Sequence, residues 1–368
     1  RSSDLNYYTV SYYLGNGSTN AAYQKLTQTV EEGTVVTFAK VPARTGYVNQ
    51  GWSSKKNSEK ATAKAKCTVN KNITLYAVQK KAVQLTFHRC DGSTWQKTTL
   101  AKGSSYSLPG VRDAEGYTFM GWSTKPMQSV SPQYEAEEKI TVNGNVDLYA
   151  VVFNRTTETD LTEDQLPQVD IYKYKQVIFV GDSRTEFMEN VLTGMGESAT
   201  KNVKFVCSAG KGLDWFTTTG WAQLYSIVQH DSNSILSKKT AVIFNFGVND
   251  LSKSADYAEY YNWIAPQLKS KGCELYFMSV NPVNRLMLPN AGRADRSEAA
   301  VRSFNQYMKA NLSSAYTYID MYSYLKSTGY SFASDHYGTG TVDDGLHYTT
   351  RTYKRIFAKC MDSLRVPA

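Results

Sequence analysis

The chain has 368 residues, and its 41 Lys and Arg against 33 Asp and Glu give a formal net charge of +8. This length suits about two or three domains. The basic residues form no clustered stripe interleaved with aromatic residues, so we expect no nucleic-acid partner. No apolar stretch approaches the ~18 residues of a membrane-spanning helix, and we expect no transmembrane segment.

The five cysteines are scattered and lack Cys-x-x-Cys spacing. They predict neither a disulfide framework nor a zinc site. We expect no metal and no cofactor. The chain begins at Arg1 without a signal peptide, as expected of a mature or trimmed protein.

The first part of the chain contains an imperfect internal repeat. The segment 46–53, GYVNQGWS, recurs at 116–123 as GYTFMGWS. The segment 68–78, TVNKNITLYAV, recurs at 141–151 as TVNGNVDLYAV. Polar residues alternate with β-branched ones between Gly and Asn turns, which predicts short antiparallel strands.

Trp52 and Trp122 occupy the same position in the two repeats. A small β unit needs a large apolar residue to close its core, so we interpret both as core anchors. The two repeated motifs resemble the internalin-type B repeats of bacterial surface proteins. The resemblance implies two small β-rich domains of the ubiquitin or grasp type, at 1–80 and 81–153, acting as surface spacers or adhesive modules.

A polar, acidic stretch separates the repeats from the rest of the chain. Residues 154–168 are predicted to be a linker with a short capped turn. The remaining residues, 169–368, are expected to form a domain that folds without the repeats.

The first chemical motif follows a buried-strand pattern. Val177–Val180 is β-branched and aromatic, Gly181 ends it, and residues 185–192 have helical spacing. Ser183 is therefore predicted in a strand-to-helix turn, at the sheet edge where ligands bind and where helix N–H groups can hold a negative charge. The alternative is a capping box, in which Ser183 and Glu186 only satisfy helix N–H groups.

The second motif repeats this arrangement. The apolar run 241–246 predicts a strand, Gly247 permits a tight turn, and Asn249 can direct its amide N–H at the sheet edge. An asparagine amide donates two hydrogen bonds, which suits an oxyanion hole. Alternatively, Asn249 and Asp250 are ordinary turn and cap residues ahead of the next helix.

The third motif is a carboxylate three residues before an imidazole. Asp344 precedes His347, just ahead of a predicted C-terminal helix over 349–364. A neutral imidazole takes a proton from a serine only if its other nitrogen is held in the right tautomer, and a nearby carboxylate can do this.

Other residues compete for these two roles. Among the four histidines, His336 in a Ser/Gly/Tyr-rich loop is the rival base, although it has no carboxylate at the same spacing. We favour His347. Asp343 remains an alternative to Asp344 as the orienting acid.

The three motifs, in this order and each at a strand end, resemble the SGNH hydrolase superfamily, also called the GDS(L)-type esterases. The resemblance covers about residues 175–365. Carried over to matching positions, it implies Ser183 as the nucleophile, Asn249 as an oxyanion donor, and Asp344 and His347 as the remaining catalytic residues. It also implies that the N–H of Ser183 joins the oxyanion hole.

The family's second motif supplies an oxyanion glycine, which must fall within Ser208–Gly212. Gly212 is preferred because it opens the following helical stretch, and Gly210 is the rival. The sequence departs from the family pattern here. It departs again at Arg184, which either meets an anionic or sugar substrate or is a solvated helix residue.

Strand and helix patterns alternate through this half of the chain, which predicts a parallel sheet covered on both faces. The resemblance implies an α/β flavodoxin-like three-layer sandwich. We expect a secreted or cell-surface bacterial serine esterase that hydrolyses a small acyl ester, such as an acetyl ester, on a glycan or another small molecule. Contact with cell wall or polysaccharide through the repeats is part of this expectation. The alternatives are a lipase, thioesterase or acyltransferase, or a non-enzymatic adhesin built on a hydrolase fold.

Overall fold

The computed structural model describes residues 5–171, 173–229, 239–334 and 343–364. Its contacts divide the chain into two compact units. The first unit comprises Arg1–His88, Ser93–Tyr106 and Lys139–Leu148, and the second comprises Arg89–Gly92, Ser107–Glu138 and Tyr149–Ala368. The division falls inside the second repeat, so this repeat contributes residues to both units.

The first unit is rich in β-strands, numbered here in chain order. Its elements are β1 (Tyr7–Tyr13), α1 (Ala21–Gln24), β2 (Gln28–Glu31), β3 (Thr34–Thr37), β4 (Tyr47–Ser53), β5 (Lys66–Val69), β6 (Ile73–His88), β7 (Thr94–Ala101), β8 (Ser104–Ser107) and β10 (Lys139–Val142). The long strand β6 pairs in parallel with β1 and antiparallel with β4 and β7.

The apolar core of the first repeat follows from strand alternation. Val10 and Tyr12 are two residues apart in β1 and therefore point to the same face, where they are buried with Leu75 and Trp52. The expectation that Trp52 is a core anchor is confirmed, as is the β-rich character of the repeats.

The second unit starts with two strands of the second repeat. The strands β9 (Tyr117–Ser123) and β11 (Val146–Asn154) pair antiparallel, with Trp122 opposite Ala150. Trp122 is fully buried. The chain then makes two short 3₁₀ turns at Arg155–Thr157 and Glu163–Gln165, and Thr162 and Gln165 form the capping box of the second turn.

A five-stranded parallel sheet forms the centre of the second unit. Its strands are β12 (Tyr174–Gly181), β13 (Val203–Cys207), β14 (Lys239–Asn245), β15 (Cys273–Met278) and β16 (Tyr316–Ile319). They lie in the order β13-β12-β14-β15-β16, and every neighbouring pair is parallel. The chain direction across the sheet reverses at β12, so the loops after β12 and β14 lie at the point where such sheets bind ligands.

Helices cover both faces of this sheet. They are α2 (Ser183–Met195), α3 (Leu213–Trp215), α4 (Trp221–Gln229), α5 (Ser254–Ser270), α6 (Glu298–Asn311), α7 (Met321–Thr328) and α8 (Thr350–Ser363). Val177 and Phe179 of β12 pack into the core with α2 and α8, whereas Ile178 and Val180 pack into the core with α4, α5 and α6. The predicted three-layer α/β sandwich is confirmed.

A two-stranded hairpin lies beside this sandwich and was not predicted. The strands β17 (Phe332–Ser334) and β18 (Asp343–Tyr348) pair antiparallel. The second of them carries both Asp344 and His347, so the acid and the imidazole sit on one short, buried strand.

Candidate active site

Ser183 is the first residue of α2, and its hydroxyl is not used to cap this helix. Asp182, not Ser183, caps this helix: its side chain accepts a hydrogen bond from the N–H of Arg184 at 3.0 Å. The capping-box alternative for Ser183 is therefore wrong. The Glu186 carboxylate is used elsewhere, accepting a hydrogen bond from the N–H of Ala209 at 2.6 Å.

Gly181 is required by a close approach. A Cβ atom at this position would overlap the hydroxyl of Thr185 and would lie 3.1 Å from the carbonyl oxygen of Asn245. Any larger residue would push α2 away from the end of β12. The glycine therefore sets the position of Ser183 over the sheet edge.

Ser183, His347 and Asp344 form a continuous hydrogen-bonded chain. The Oγ atom of Ser183 lies 2.9 Å from Nε2 of His347, and Nδ1 of His347 lies 2.6 Å from Oδ2 of Asp344. The other carboxylate oxygen, Oδ1, accepts the backbone N–H groups of Leu346 and His347, both at 2.8 Å. All three side chains are buried. The structure thus brings together the three residues that the sequence selected.

Burial and nearby charges determine the protonation of this chain. Burial lowers the pKa of His347 below its usual range, Asp344 opposes this, and the cationic Arg184 and Arg293 act in the same direction as burial. Burial raises the pKa of Asp344, but its hydrogen bonds with His347 and the backbone outweigh burial and hold that pKa below the usual value. The arrangement at neutral pH is an ionised carboxylate beside a neutral imidazole, as a general base requires.

Arg184 is neither a substrate contact nor a solvated residue. Its side chain is 3% exposed, and its guanidinium donates to the carbonyl oxygens of Leu346, Asn281 and Pro282 at 2.8–3.0 Å. Both interpretations from the sequence are wrong. The guanidinium ties the start of α2 to the strand of His347, which holds Ser183 against the imidazole.

The structure separates the rival acid from the imidazole. Asp343 accepts a hydrogen bond from Nη1 of Arg155 at 2.5 Å, and Asp344 is the residue that contacts His347. The rival pair Asp335 and His336 lies outside the described residues.

The loop after β13 contacts the loop after β14, close to the hydrogen-bonded side chains. Nδ2 of Asn249 donates to the carbonyl oxygen of Lys211 at 2.8 Å, and Oδ1 of Asn249 accepts from Nη2 of Arg296 at 2.8 Å. Gly212 precedes α3, and a Cβ atom there would overlap the carboxylate of Asp250. Gly210 adopts a φ of +70°, and a Cβ atom there would meet no other atom within 4 Å.

These contacts place Asn249 one residue away from Gly212. The close approach of Asp250 explains why position 212 must be glycine. The assignment of Gly212 and Asn249 to an oxyanion hole stays a prediction.

Sequence reasoning missed two arginines at this edge. Nη2 of Arg293 lies 3.3 Å from Oδ2 of Asp344, and Arg296 orients the amide of Asn249. Both belong to the long segment between β15 and α6, which contains one short 3₁₀ helix, Leu288–Ala291, and otherwise no regular element. No motif in the sequence indicates that this segment returns to the ends of β14 and β18.

Asp113 of the second repeat and Arg155, just after this repeat, reach the start of the strand that carries Asp344. Arg155 forms ion pairs with Asp343 at 2.5 Å and with Asp113 at 2.8 Å. Nδ2 of Asn284 donates to Oδ1 of Asp113 at 2.8 Å, and the N–H of Asn284 donates to the carbonyl oxygen of Gly345 at 2.8 Å. Residues on both sides of Asp344 are thus linked to Asp113 of the repeat through one intermediate residue, Arg155 for Asp343 and Asn284 for Gly345.

Comparison with known families gives two matches. Residues 177–360 match the GDSL-like lipase/acylhydrolase family, and residues 8–78 and 84–151 each match the Listeria-Bacteroides repeat domain. The "Putative Gly-rich membrane protein" of Evansella cellulosilytica is 26% identical over 148 residues, which cover 40% of this chain and 16% of that protein. The chain therefore spans only a small part of the length of this relative.

Solved structures with a similar fold include two acyl-ester hydrolases by name. A "putative acylhydrolase" of Bacteroides fragilis is 16% identical, with a TM-score of 0.35, over 55% of this chain and 92% of that one. An acetyl xylan esterase, AlAXEase, is 10% identical, with a TM-score of 0.35, over 52% of this chain and all of that one. Because the segment 177–360 makes up half of the chain, the chain belongs to the GDSL-like lipase/acylhydrolase family.

Proposed function

We propose that Ser183 is the nucleophile of this esterase, with His347 as its base and Asp344 as the residue that orients His347. The observation that carries the proposal is the hydrogen-bonded chain of 2.9 Å and 2.6 Å through these three side chains. Ser183 attacks the ester carbonyl while His347 takes its proton. The protonated imidazole then gives this proton to the leaving alcohol, and water releases the acid.

The oxyanion of the tetrahedral intermediate is held by the N–H groups of Ser183 and Gly212 and by the amide of Asn249. The orientation of Asn249 supports this role, because Arg296 occupies Oδ1 and one N–H donates to Lys211. The second N–H of Nδ2 remains for a substrate oxygen. Donors fixed in this way stabilise charge that develops only in the transition state.

The substrate class that we propose is a small acyl ester, in particular an acetyl ester, carried by a glycan. The repeats support a location at the surface of a bacterial cell or outside it. We propose further that they are internalin-type B repeats and that they contact cell wall or polysaccharide. None of the helices that the structure describes is long and apolar enough to cross a bilayer. Lipid esters, thioesters and acyl transfer to a second sugar are the competing substrates and reactions.

A screen with 4-nitrophenyl acetate and acetylated glycans tests the proposal. Ser183→Ala should lower kcat by several orders of magnitude, leaving only the residual effect of the oxyanion donors. The change in stability should stay below about 1 kcal/mol because Asp182 provides the cap. Ser254→Ala is the matched control, since Ser254 is also the first residue of a helix, α5.

Retention of full activity by Ser183→Ala would refute the proposed mechanism. Activity on small esters together with no release of acetate from any glycan would refute only the proposed substrate class.

A further inference from the structure

A groove of about 620 Å³ runs along α2 away from Ser183. One wall consists of residues that follow Ser183 at helical spacing, namely Phe187, Asn190, Val191, Gly194 and Met195. Residues 4, 7, 8, 11 and 12 positions after Ser183 share its face of the helix. The groove therefore extends along α2 from His347, which is the hydrogen-bond partner of Ser183.

The opposite wall belongs to the strand and helix that follow His347. Its residues are Ala333, His347, Tyr348, Thr349, Thr350 and Tyr353. Within the part of the chain that the structure describes, no Asp, Glu, Lys or Arg lines this groove. Apolar and aromatic side chains predominate, and the polar ones are uncharged.

The path of the proton decides which part of an ester fits this groove. The Oγ atom of Ser183 bonds to the carbonyl carbon as its proton moves to Nε2 of His347. The bond from that carbon to the alcohol oxygen then breaks, and the same proton passes to this oxygen. The alcohol oxygen must therefore lie on the side of His347, and the carbonyl oxygen must point to the oxyanion donors near Asn249.

We propose that the groove between α2 and the β18–α8 segment binds the alcohol part of the ester, and that it selects an uncharged alcohol with an apolar face. This inference rests on the proposed function. Either a sugar ring or an alkyl or aryl alcohol presents this chemistry, since both can pack an apolar face against Phe187, Val191 and Tyr353.

The other large cavity at this edge of the sheet has the opposite character. It has a volume of about 380 Å³, lies beside Asn249, and is lined by the charged residues Arg285, Asp295 and Arg296 among others. A charged alcohol would find its partners there and not beside His347. The contrast strengthens the prediction that the groove along α2 rejects charge.

The test compares matched acetate esters on the full chain. Phenyl acetate and 4-acetoxybenzoate differ by one carboxylate on the alcohol part, and methyl acetate has almost no alcohol part to bind. Phenyl acetate should have a KM at least about tenfold below that of 4-acetoxybenzoate. Octyl acetate and a monoacetylated methyl glucoside separate the alkyl and sugar sources of the same chemistry.

Substitutions on α2 locate the effect. Val191→Glu places a carboxylate in the groove and should raise the KM ratio of phenyl acetate to methyl acetate at least about tenfold. Thr193→Glu is the matched control, because Thr193 is exposed on the same helix and does not line the groove. It should leave both KM values unchanged. If Val191→Glu fails to fold, Val191→Trp, which fills the groove without charge, should change the same ratio.

Two outcomes overturn the inference, and neither touches the proposed mechanism. They are equal KM values for phenyl acetate and 4-acetoxybenzoate, or identical behaviour of the Val191 and Thr193 variants, in a wild-type protein that is active. The proposed function itself would be wrong if the Ser183→Ala protein retained its activity.

Discussion

The two repeats carry the same motif but serve different parts of the molecule. Trp52 and Trp122 are both buried, and each donates its indole N–H to a backbone carbonyl 13 residues upstream, that of Ala39 or Pro109. The first repeat has an apolar core of its own around Trp52. Part of the second repeat belongs to the same compact unit as the hydrolase sheet.

The difference lies in two positions inside the shared motif. Asn49 and Gln50 of the first repeat are exposed, whereas the equivalent Phe119 and Met120 of the second repeat are buried. Met120 belongs to the same apolar core as Phe179 and Phe357 of the hydrolase domain. Met120, in place of an exposed amide of the first repeat, thus brings part of the second repeat into the apolar core of the hydrolase domain.

A third position adds a polar anchor. Position 43 of the first repeat is an exposed alanine, and the equivalent residue of the second repeat is Asp113, whose side chain is fully buried. Asp113 pairs with Arg155 and accepts hydrogen bonds from Phe119 and Asn284. These contacts connect the second repeat to the residues on either side of Asp344 in β18. A repeat family match alone does not show which copy is a spacer and which is structural.

Removal of the second repeat should have the largest effect. A chain that starts at Thr162 loses Met120, Val151 and Phe153 from the hydrolase core, together with the partners of Asp343. Loss of one buried Phe costs about 3–5 kcal/mol, against a total stability of about 5–15 kcal/mol. We therefore expect no cooperative thermal unfolding and no esterase activity from this chain.

This expectation replaces the independent folding expected from the sequence. A chain from Thr162 that unfolds cooperatively and keeps the wild-type kcat on 4-nitrophenyl acetate would show that the second repeat is as dispensable as a spacer.

Arg155→Gln should have the next largest effect. It leaves the buried carboxylate of Asp113 and that of Asp343 without their cation, and breaking such a pair costs about 3–5 kcal/mol. In the variant, as in the wild type, kcat/KM should fall at acidic pH with a midpoint below pH ~6.5, because burial lowers the pKa of the His347 imidazole. We expect kcat to fall, since Asp343 precedes Asp344, the residue that we propose orients His347.

Differential scanning calorimetry and a pH–rate profile check this prediction. Arg112→Gln in the second repeat is the control, because Arg112 is exposed and its loss should cost less than about 1 kcal/mol. Arg155→Lys should restore part of the lost kcat. If Arg155→Gln changes neither the thermal unfolding midpoint nor kcat, the ion pairs of Arg155 do not hold Asp343 and Asp344 in place.

Exchange of the equivalent residues isolates the apolar part of the difference. Met120→Gln puts an amide into the hydrolase core and should cost about 2–5 kcal/mol. The reverse change, Gln50→Met, affects an exposed position and should stay within about 0.5 kcal/mol. Similar shifts in the urea midpoint of the two variants would contradict the comparison.

The smallest effect concerns the pH dependence of stability. Burial raises the pKa of Asp113 to about 6, so the folded protein holds this proton more tightly than the unfolded chain does. The stabilisation from this group is complete below pH ~4 and is lost as the pH rises through about 6. In Asp113→Asn, the urea midpoint of unfolding should depend less on pH over this interval. If the midpoint changes with pH as steeply as in the wild type, other groups cause the pH dependence of stability.

The sequence predicted the local elements well where local patterns decide them. The predicted strand at Val177–Val180 lies within β12, and the predicted C-terminal helix over 349–364 is α8 (Thr350–Ser363). Helix α2 begins at Ser183, two residues before the expected stretch, because Asp182 caps it, and it ends at Met195, three residues after that stretch. The sequence selected Ser183, Asp344 and His347 because each lies in a short motif, although Asp344 and His347 lie within strand β18 and not at the end of a strand.

The contacts that hold this site could not be predicted, because they join distant segments. Arg155 lies 188 positions from Asp343, and the carbonyl partners of Arg184 lie 97 or more positions away. Nothing near Arg184 in the sequence distinguishes a buried guanidinium from a solvated one. The proposed domain boundaries at 80, 153 and 168 follow composition and repeat length, and composition does not register that a repeat packs into the next core.

The helix cap at Asp182 has a consequence for how the family can change over time. Helix α2 obtains its N-terminal cap from Asp182 and its close packing on β12 from Gly181, so neither depends on the hydroxyl of Ser183. A gene copy could lose the hydroxyl in a single step and still produce a folded protein. Inactive descendants that retain the repeats and the sandwich are therefore readily accessible, and they would be recognised by an intact Gly-Asp pair followed by a residue other than serine.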